Sequence, residues 1–250
     1  MKNTEIKVKN DQENKFELKI AHLTDLHLSS DVSLNYLRKV FQQTANQRPD
    51  LICLTGDYIT SHVTRKSEYA DALKILSSAA PTFACPGNHD GGIWARQRGG
   101  YPNIDEIKSI LSEGKVVLLE NESAEITIRN HKIIIGGLGD IWAGRCVPDD
   151  IQEAFDSTKS ELRIILTHNP DSKIKTKNLK WDIILAGHTH RGQFSLPILG
   201  TPFAPVNDKK YVNGLYEYMG GSLYVSPGIG NLHGLRINCR PEISILEIRN

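Results

Sequence analysis

The alternation of short apolar strands with amphipathic helices predicts an α/β fold whose first sheet is mostly parallel. Residues 16–23 alternate apolar and polar positions, as a half-buried strand does. Apolar residues then recur at helical spacing over 34–41, and an apolar strand follows at 51–54. The same cycle repeats with a helical pattern over 69–76 and a short strand over 82–85. This repetition of strand, helix and strand is typical of a parallel sheet.

The rest of the chain continues with less regular spacing. Residues 92–102 are polar, basic and aromatic without periodicity, which indicates a loop, and a helix follows over 104–111. Three short strand-like runs joined by tight links predict an antiparallel meander, at 116–119, 123–128 and 132–136. Further strands are predicted at 162–167, 181–186, 222–225 and 242–248.

Length and composition favour a single domain. A chain of 250 residues, 39% of them hydrophobic, can bury roughly three quarters of its unfolded surface in one core. We expect a polar N-terminal leader over 1–15 and one domain over 16–250. The 30 basic and 29 acidic residues leave a net charge of +1, so we expect no long nucleic acid as a partner.

Cysteine usage and hydropathy bear on the compartment. The four cysteines form no C-x-x-C pair, which argues against a zinc knuckle and a disulfide framework and favours a reducing environment. The sequence has neither the apolar run of a signal peptide nor the ~18 apolar residues of a membrane span. We therefore expect a cytoplasmic protein.

Five polar clusters follow the predicted strands, at the edge where ligands bind in open α/β sheets. They are Asp25-Leu26-His27, Gly56-Asp57, Gly87-Asn88-His89-Asp90, His168 and Gly187-His188-Thr189-His190. Taken singly, most of these clusters are more typical of ordinary hydrogen-bonded turns than of metal ligands. Their shared position at strand ends within one domain favours a common pocket.

The paired histidines of the last cluster need a turn in order to act together. Alternate side chains on an extended backbone point to opposite sides, so His188 and His190 share a site only if the chain turns there, which Gly187 permits. Oxygen and imidazole donors without cysteine suit manganese, iron, zinc or cobalt. If both rings face one pocket, each could hold a different metal of a pair.

The ordered set resembles the calcineurin-like metallophosphoesterase family, whose pattern runs D-x-H, G-D, G-N-H-[D/E], H and G-H-x-H. The resemblance covers Asp25 to His190, with every element present. It implies a four-layer αββα sandwich of two mixed β-sheets flanked by helices, with a two-metal centre at the sheet ends. It also implies two ligand sets that share Asp57 as a bridge: Asp25, His27, Asp57 and His190, and Asp57, Asn88, His168 and His188.

The same resemblance implies a reaction and two catalytic residues. A metal-bridging hydroxide would attack the phosphorus of a phosphodiester or diphosphate. His89 would lie outside the ligand shell, where a protonated ring stabilises phosphoryl oxygens or protonates the leaving group. Asp90 is the candidate residue that orients His89.

Segments outside the metal pattern resemble a bacterial branch of membrane-associated or lipid-directed phosphodiesterases. These segments lie at 91–96, 191–193, 228–230 and 236–242. Related enzymes cleave UDP-2,3-diacylglucosamine in lipid A biosynthesis, which implies a small-molecule or lipid-linked phosphoester substrate and possible peripheral contact with the inner membrane. Many relatives have an apolar N-terminal anchor, which this sequence lacks.

Arginines near the clusters are the candidate substrate-binding residues, because a guanidinium matches a phosphate bidentately. They are Arg96, Arg98, Arg191 and Arg236. The alternative for each loop arginine is a solvated side chain. The proline-interrupted apolar stretch 194–205 would suit an acyl chain or a bilayer surface, but core packing is its more ordinary explanation, and His233 is a further candidate near the substrate.

Two other functions fit the same motifs. A nuclease or a cyclic-nucleotide phosphodiesterase would use the same metal site, and the near-zero net charge argues against long nucleic acid. A scaffold that keeps the fold without catalysis is the third possibility, and the complete ligand set opposes it. Nothing in the sequence determines the oligomeric state.

Overall fold

The computed structural model describes residues 1–8, 16–194, 200–232 and 234–250. Within these ranges the strands are β1 (Lys2–Lys7), β2 (Glu17–Leu23), β3 (Leu51–Thr55), β4 (Thr82–Cys85), β5 (Val117–Leu118), β6 (Glu122–Ile128), β7 (His131–Gly137), β8 (Leu162–Leu166), β9 (Ile183–Ala186), β10 (Gly214–Tyr218), β11 (Gly221–Val225) and β12 (Ser244–Arg249). The α-helices are α1 (Leu34–Ala45), α2 (Lys66–Ser77), α3 (Ile93–Arg96), α4 (Asp105–Glu113) and α5 (Gln152–Ser157). Three short 3-10 helices lie at Pro148–Ile151, Pro170–Thr176 and His190–Gly192.

The first sheet has the strand order β1-β12-β2-β3-β4-β5. Every neighbouring pair is parallel except β12 and β2, which run antiparallel. All residues of β3 and β4 are buried, as expected for strands that are covered on both faces of the sheet. The prediction of a mostly parallel first sheet is therefore confirmed.

The second sheet has the order β10-β11-β9-β8-β7-β6. Its four central strands, β11, β9, β8 and β7, are parallel to one another. At each edge an antiparallel hairpin adds one more strand, β10 on β11 and β6 on β7. The two sheets together contain both parallel and antiparallel pairs, as the family resemblance implies.

Three buried apolar clusters define four layers. One lies between the first sheet and helices α1, α2 and α4, and it includes Phe41 and Leu73. The second lies between the two sheets, where Ile20 and Ile164 belong to the same cluster. The third covers the outer face of the second sheet and includes Phe155 of α5. The four-layer αββα sandwich is therefore confirmed.

Helix α1 shows how the sequence pattern sets an outer layer. The hydroxyl of Ser33 accepts a hydrogen bond from the backbone N–H of Tyr36 at 3.2 Å and caps the helix N-terminus. Leu34, Leu37, Val40 and Phe41 are buried on one face, at the spacing that the sequence predicted.

Three local predictions differ from the structure. The run at 116–119 does not begin a meander, because β5 pairs in parallel with β4 in the first sheet, and only β6 and β7 form a hairpin. Helix α3 forms inside the predicted loop 92–102, where one helical turn is too short to show periodicity. Strand β10 was not predicted, since its alternation of half-buried and exposed residues is that of an edge strand.

The polar N-terminal segment also contributes to the fold. Lys2–Lys7 carries no strong apolar pattern, yet it forms the edge strand β1, in register with β12 from Lys2 opposite Ser244 to Lys7 opposite Arg249. Pairing with the neighbouring backbone determines this strand, which explains why its own composition did not predict it. Two features named in the sequence analysis lie outside the described residues: part of the apolar stretch, including Leu196, Ile198 and Leu199, and His233. In the part of the chain that is described, no helix is long and apolar enough to span a bilayer.

Candidate metal centre

The polar clusters converge because their strands are neighbours with aligned carboxyl ends. β2, β3 and β4 are adjacent in the first sheet, and they lead into Asp25, Asp57 and Asn88. β8 and β9 are adjacent in the second sheet and lead into His168 and His188. Packing of the two sheets brings both edges together, so that residues far apart in sequence meet in one buried site.

Left-handed backbone turns aim the side chains at this site. Five of the expected metal ligands have positive φ values: Asp25 (53°), His27 (47°), Asp57 (54°), His188 (66°) and His190 (48°). Residues other than glycine adopt this conformation at a cost of about 1–3 kcal/mol each, and such strain is concentrated at functional sites. These turns explain how alternate residues, such as Asp25 and His27, come to face the same pocket.

Gly187 has a different role from the one expected. The positive φ lies at His188, not at Gly187, so His188 itself makes the turn. A Cβ atom at Gly187 would lie 2.0 Å from Thr24 Oγ1 and 2.5 Å from Asp25 Oδ2. Glycine is therefore required here because the end of β9 approaches the end of β2 too closely for any side chain.

The first donor group consists of Asp25 Oδ1, His27 Nε2 and His190 Nε2. The two imidazole nitrogens lie 3.1 Å apart, and His190 Nε2 lies 3.1 Å from Asp25 Oδ1. Two nitrogens that each lie ~2.1 Å from one metal ion, at angles of roughly 90–110°, are about 3.0–3.4 Å apart. The spacing therefore matches the edge of a metal coordination shell.

The second donor group contains Asp57, His168 and His188. His168 Nε2 lies 3.1 Å from Asp57 Oδ2 and 3.1 Å from His188 Nδ1. The buried Oδ1 of Asn88 has no hydrogen-bond partner among the described residues. A buried amide oxygen without a partner is costly, so its position is consistent with a cation ligand.

One carboxylate oxygen faces both donor groups. Asp57 Oδ2 lies 3.5 Å from His27 Nε2 of the first group and 3.1 Å from His168 Nε2 of the second. The other oxygen, Oδ1, accepts a hydrogen bond from the backbone N–H of His89 at 2.9 Å, which fixes the orientation of the carboxylate. Asp57 is therefore placed as a bridge between two sites.

The residues present fit a pair of divalent cations. Carboxylate, amide and imidazole donors suit such ions, and the buried Asp25 Oδ1, like Asn88 Oδ1, has no hydrogen-bond partner among the described residues. The imidazoles are also held by hydrogen bonds at the nitrogen that faces away from the site. His168 Nδ1 lies 2.7 Å from the Thr55 carbonyl, and His188 Nε2 lies 2.9 Å from that of Pro205. Each carbonyl accepts a ring N–H, which leaves the inner nitrogen free for a cation.

Burial and mutual charges shift the pKa values of these groups. Burial alone would raise the pKa of the Asp25 and Asp57 carboxyls, but the surrounding histidines outweigh it, and both pKa values lie below their usual range. Burial, together with the neighbouring His168, lowers the pKa of His188 to about 3. Burial would lower the pKa of His168, but Asp57 outweighs it, and this pKa lies well above its usual range. The ionised carboxylates are already in the state that binds metal ions, and a bound cation would displace the proton of His168.

His89 lies beside the donor groups, and a backbone carbonyl holds its ring. Its Nδ1 donates a hydrogen bond to the Thr60 carbonyl at 2.7 Å, and its ring packs edge-on against His27, with centroids 4.9 Å apart. Burial lowers its pKa, although Asp57 opposes the shift. This shift favours the neutral ring, and the protonated ring that the family resemblance implies stays a prediction.

Asp90 supports the backbone and does not contact the His89 ring. Its Oδ2 accepts hydrogen bonds from the N–H groups of Asp57 at 2.8 Å and Gly87 at 2.7 Å, and its Oδ1 accepts one from Tyr58 at 2.8 Å. Burial and Asp57 raise its pKa, and the backbone amides oppose that shift. Because the Thr60 carbonyl orients His89, the role expected for Asp90 was wrong; Asp90 fixes the turns after β3 and β4.

The four candidate arginines occupy different positions. Arg98 lines a cavity of about 280 Å³ together with Asp57, Asn88 and His89. Arg96 is exposed and Arg191 half-buried, and neither belongs to the described lining of that cavity. Arg236 donates to the carbonyls of Gly230 and Pro227, at 2.9 and 2.8 Å, and lies 3.1 Å from His190 Nδ1. Its donors are used by carbonyl groups within the protein, contrary to the expected contact with substrate.

Sequence reasoning missed several residues around the site. The carbonyls of Thr60 and Pro205 accept hydrogen bonds from His89 and His188. The cavity is also lined by Trp142, Pro205 and Leu232. None of these residues belongs to a polar motif at a strand end. One signal was available, because Asp140 and Trp142 follow β7, a sixth strand that ends at this edge. Asp140 is buried, and burial raises its pKa to about 6.

Known proteins share this sequence and fold. The sequence profile of the calcineurin-like phosphoesterases matches residues 18–192. Phosphodiesterase YaeI of Escherichia coli (strain K12) is 40% identical over 238 residues, which cover 95% of this chain and 84% of that protein. UDP-2,3-diacylglucosamine pyrophosphatase LpxG of Chlamydia trachomatis serovar D is 28% identical over 282 residues, covering 92% of this chain and 83% of that protein.

A solved structure agrees at the level of the fold. Haemophilus influenzae NAD nucleotidase (NadN) superposes with a TM-score of 0.56 at 16% identity, and the match covers 85% of this chain and 50% of that longer one. The fold and the donor set are those of a metal-dependent phosphoesterase. The chain belongs to the calcineurin-like phosphoesterase family.

Proposed function

We propose that this enzyme is a two-metal phosphohydrolase that cleaves phosphodiester or diphosphate bonds. The observation that carries the proposal is the position of Asp57 Oδ2 between the two donor groups. One cation would be held by Asp25, His27, Asp57 and His190. The other would be held by Asp57, Asn88, His168 and His188. When bound, the two cations, of which we favour manganese, supply positive charge that polarises a phosphoryl group and lowers the pKa of water.

The chain's own residues orient the reacting groups. The Thr60 carbonyl accepts the Nδ1–H of His89 and so fixes its ring, and His89 forms a donor cluster with His27 and Asp57. Asp25 accepts the His188 backbone N–H at 2.9 Å and the Thr24 hydroxyl at 2.7 Å, which ties the ends of β2 and β9 together. His89 is thus positioned to exchange a proton with the substrate as phosphoryl transfer proceeds.

We further propose UDP-2,3-diacylglucosamine or a related lipid headgroup as the substrate class. Support comes from the likeness to LpxG and from an apolar cavity of about 520 Å³ beside His190. Phe194, Phe203, Pro205 and Leu232 line this cavity, and Phe203 remains 68% exposed. An acyl chain is the kind of group that such a surface would bind.

A lipid-linked substrate would bring the enzyme to a membrane surface. We therefore expect a cytoplasmic protein with peripheral contact at the inner membrane. The net charge of +1 makes a general electrostatic attraction to anionic lipid weak. Co-sedimentation with vesicles that contain the lipid substrate, compared with vesicles that lack it, measures this contact.

One experiment tests the proposed function. Purified protein is analysed for bound metals and then assayed with UDP-2,3-diacylglucosamine, bis(p-nitrophenyl) phosphate, p-nitrophenyl phosphate, cyclic AMP and single-stranded DNA. We expect two metal ions per chain and hydrolysis of diphosphate and diester substrates. Faster turnover of DNA or cyclic AMP would favour the nuclease or cyclic-nucleotide alternative. A metal-loaded protein that is inert toward every substrate would favour a scaffold.

A further inference from the structure

Two tryptophans stand over the donor cluster. The Trp94 ring packs at 67° to the His89 ring with centroids 4.6 Å apart, and the Trp142 ring packs at 87° to the His188 ring at 4.3 Å. The two indoles lie 6.0 Å apart and are tilted by 37°. They form an angled aromatic wall that continues directly from the expected metal ligands.

The wall borders the cavity in which a phosphoryl group would reach the cations. The 280 Å³ cavity is lined on one side by residues of the site, which are Asp57, Asn88, His89, His188 and His190. Its other lining residues are Trp94, Arg98, Trp142, Pro205 and Leu232. Trp142 keeps 40% of its surface exposed. A large aromatic side chain at the mouth of a reactive cavity is typical of a ligand-binding surface.

The loop that carries Trp142 is built to hold that ring in place. The buried carboxylate of Asp140 accepts the N–H of Ala143 at 2.8 Å, and the Asp140 carbonyl accepts the N–H of Arg145 at 3.0 Å. Both bonds close the turn around Trp142. A ring that is held in position before ligand binding loses little conformational entropy when a ligand stacks on it.

Arg98 covers one face of Trp94, which leaves Trp142 as the more open ring of the wall. Its guanidinium lies 3.9 Å from the centre of the Trp94 ring and donates to the Trp94 carbonyl at 3.4 Å. Among the described residues that line this cavity, it is the only arginine or lysine. Arg98 thus adds a positive charge beside the two neutral indoles.

We propose that Trp94 and Trp142 form a subsite for a flat aromatic or heteroaromatic ring carried by the substituent that stays on the scissile phosphorus. The proposal rests on the proposed phosphohydrolase function and adds a specificity element to it. A nucleobase and a synthetic aryl ester share this chemistry, because both present a flat π face to an indole. Trp142, the more exposed of the two, is the specificity-determining residue.

Two diesters with the same leaving group isolate this subsite. Bis(p-nitrophenyl) phosphate and methyl p-nitrophenyl phosphate both release p-nitrophenolate, but the group retained on phosphorus is an aryl ring in one and a methyl group in the other. The ratio of their kcat/KM values, divided by the ratio of their uncatalysed rates, reports recognition of the retained group. We expect a clear preference of the wild type for the aryl diester.

Trp142→Ala should reduce that ratio by roughly 5-fold or more, and Trp142→Phe should retain most of it. Trp181→Phe is the matched control, because Trp181 stacks on Tyr218 away from the cavity. Metal content is measured for every variant. An unchanged ratio in Trp142→Ala overturns the proposal, whether both kcat/KM values are retained or both fall by the same factor.

A binding measurement separates failure of this subsite from failure of the proposed function. If the wild type hydrolyses neither diester, the proposed function is wrong for these substrates. Calorimetric titration of manganese-loaded protein with phenylphosphonate and methylphosphonate still tests the wall, because no turnover is needed. Tighter binding of phenylphosphonate by the wild type, lost in Trp142→Ala, supports the subsite, and equal binding of the two ligands overturns it.

Discussion

Oδ2 of Asp57 lies 3.1 Å from Nε2 of His168. This His168 nitrogen also lies 3.1 Å from Nδ1 of His188. The same Asp57 oxygen lies 3.5 Å from His27 Nε2 on the other side. A single carboxylate oxygen thus joins ligands that come from both sheets. Two cations held close together need such an anionic bridge.

Replacing Asp57 should remove both metal binding and activity. Asp57→Asn keeps the size of the side chain but removes the negative charge from between the two donor groups. We expect loss of at least one metal ion per chain by elemental analysis and a fall in turnover to background. Asp71→Asn is the control, because Asp71 is an exposed residue of α2 paired with Lys74. A variant of Asp57 that retains both metals and full activity would show that the bridge is wrongly assigned.

Replacing His89 should slow the reaction while leaving the metals in place. The ring belongs to the donor cluster, but its Nδ1 is already paired with the Thr60 carbonyl. His89→Asn removes the group placed for proton exchange, and we expect kcat to fall by roughly 10²–10⁴-fold. Steady-state kinetics and metal content are measured together. Unchanged kcat would mean that His89 has only a structural role.

Replacing Asp90 should destabilise the fold without removing any metal ligand. Its carboxylate accepts three backbone N–H groups, and in Asp90→Asn the new amide group would face at least one of these donors. We expect the free energy of unfolding to fall by about 3 kcal/mol, measured by urea denaturation. Because the turns after β3 and β4 carry Asp57 and Asn88, metal affinity should fall as well. A variant as stable as the wild type would contradict this role.

The buried His22 should make stability depend on pH. Burial lowers its pKa to about 3, and its Nε2 lies 2.8 Å from the Thr55 hydroxyl. In the unfolded chain the His22 ring takes up a proton as the pH falls through 6.5, whereas in the folded chain it does not. Above pH 6.5 the neutral His22 therefore makes its full contribution to the free energy of unfolding. This contribution is lost as the pH falls toward 3.

His22→Gln can keep a hydrogen bond to Thr55 without titrating. Between pH 6.5 and 5, the wild type should therefore lose about 2 kcal/mol more unfolding free energy than the variant. Urea denaturation at both pH values, with the metals present, measures the difference. Parallel pH profiles for the two proteins would show that His22 does not titrate on unfolding.

The sequence alone determined the main elements and the donor set of the site. Helices such as α1 and the buried strands β3, β8 and β9 are set by periodicity and apolar runs, which local residues specify. The polar motifs at strand ends identified Asp25, Asp57 and His168 because parallel strands align their carboxyl ends. Local pattern suffices wherever the structure depends on neighbours in sequence.

Only the tertiary structure decided how these residues act together. β1 and β5 form because a neighbouring backbone is available to pair with them, which no local pattern reports. Burial lowers the pKa of His89 while the Thr60 carbonyl orients its ring, and the donors of Arg236 are used by backbone carbonyls. Trp142 reaches His188 because the second sheet places β7 beside β8, which pairs in turn with β9, so that loops distant in sequence meet above the metal ligands. Contacts between distant segments depend on the packing of the two sheets, and this packing is a property of the whole chain.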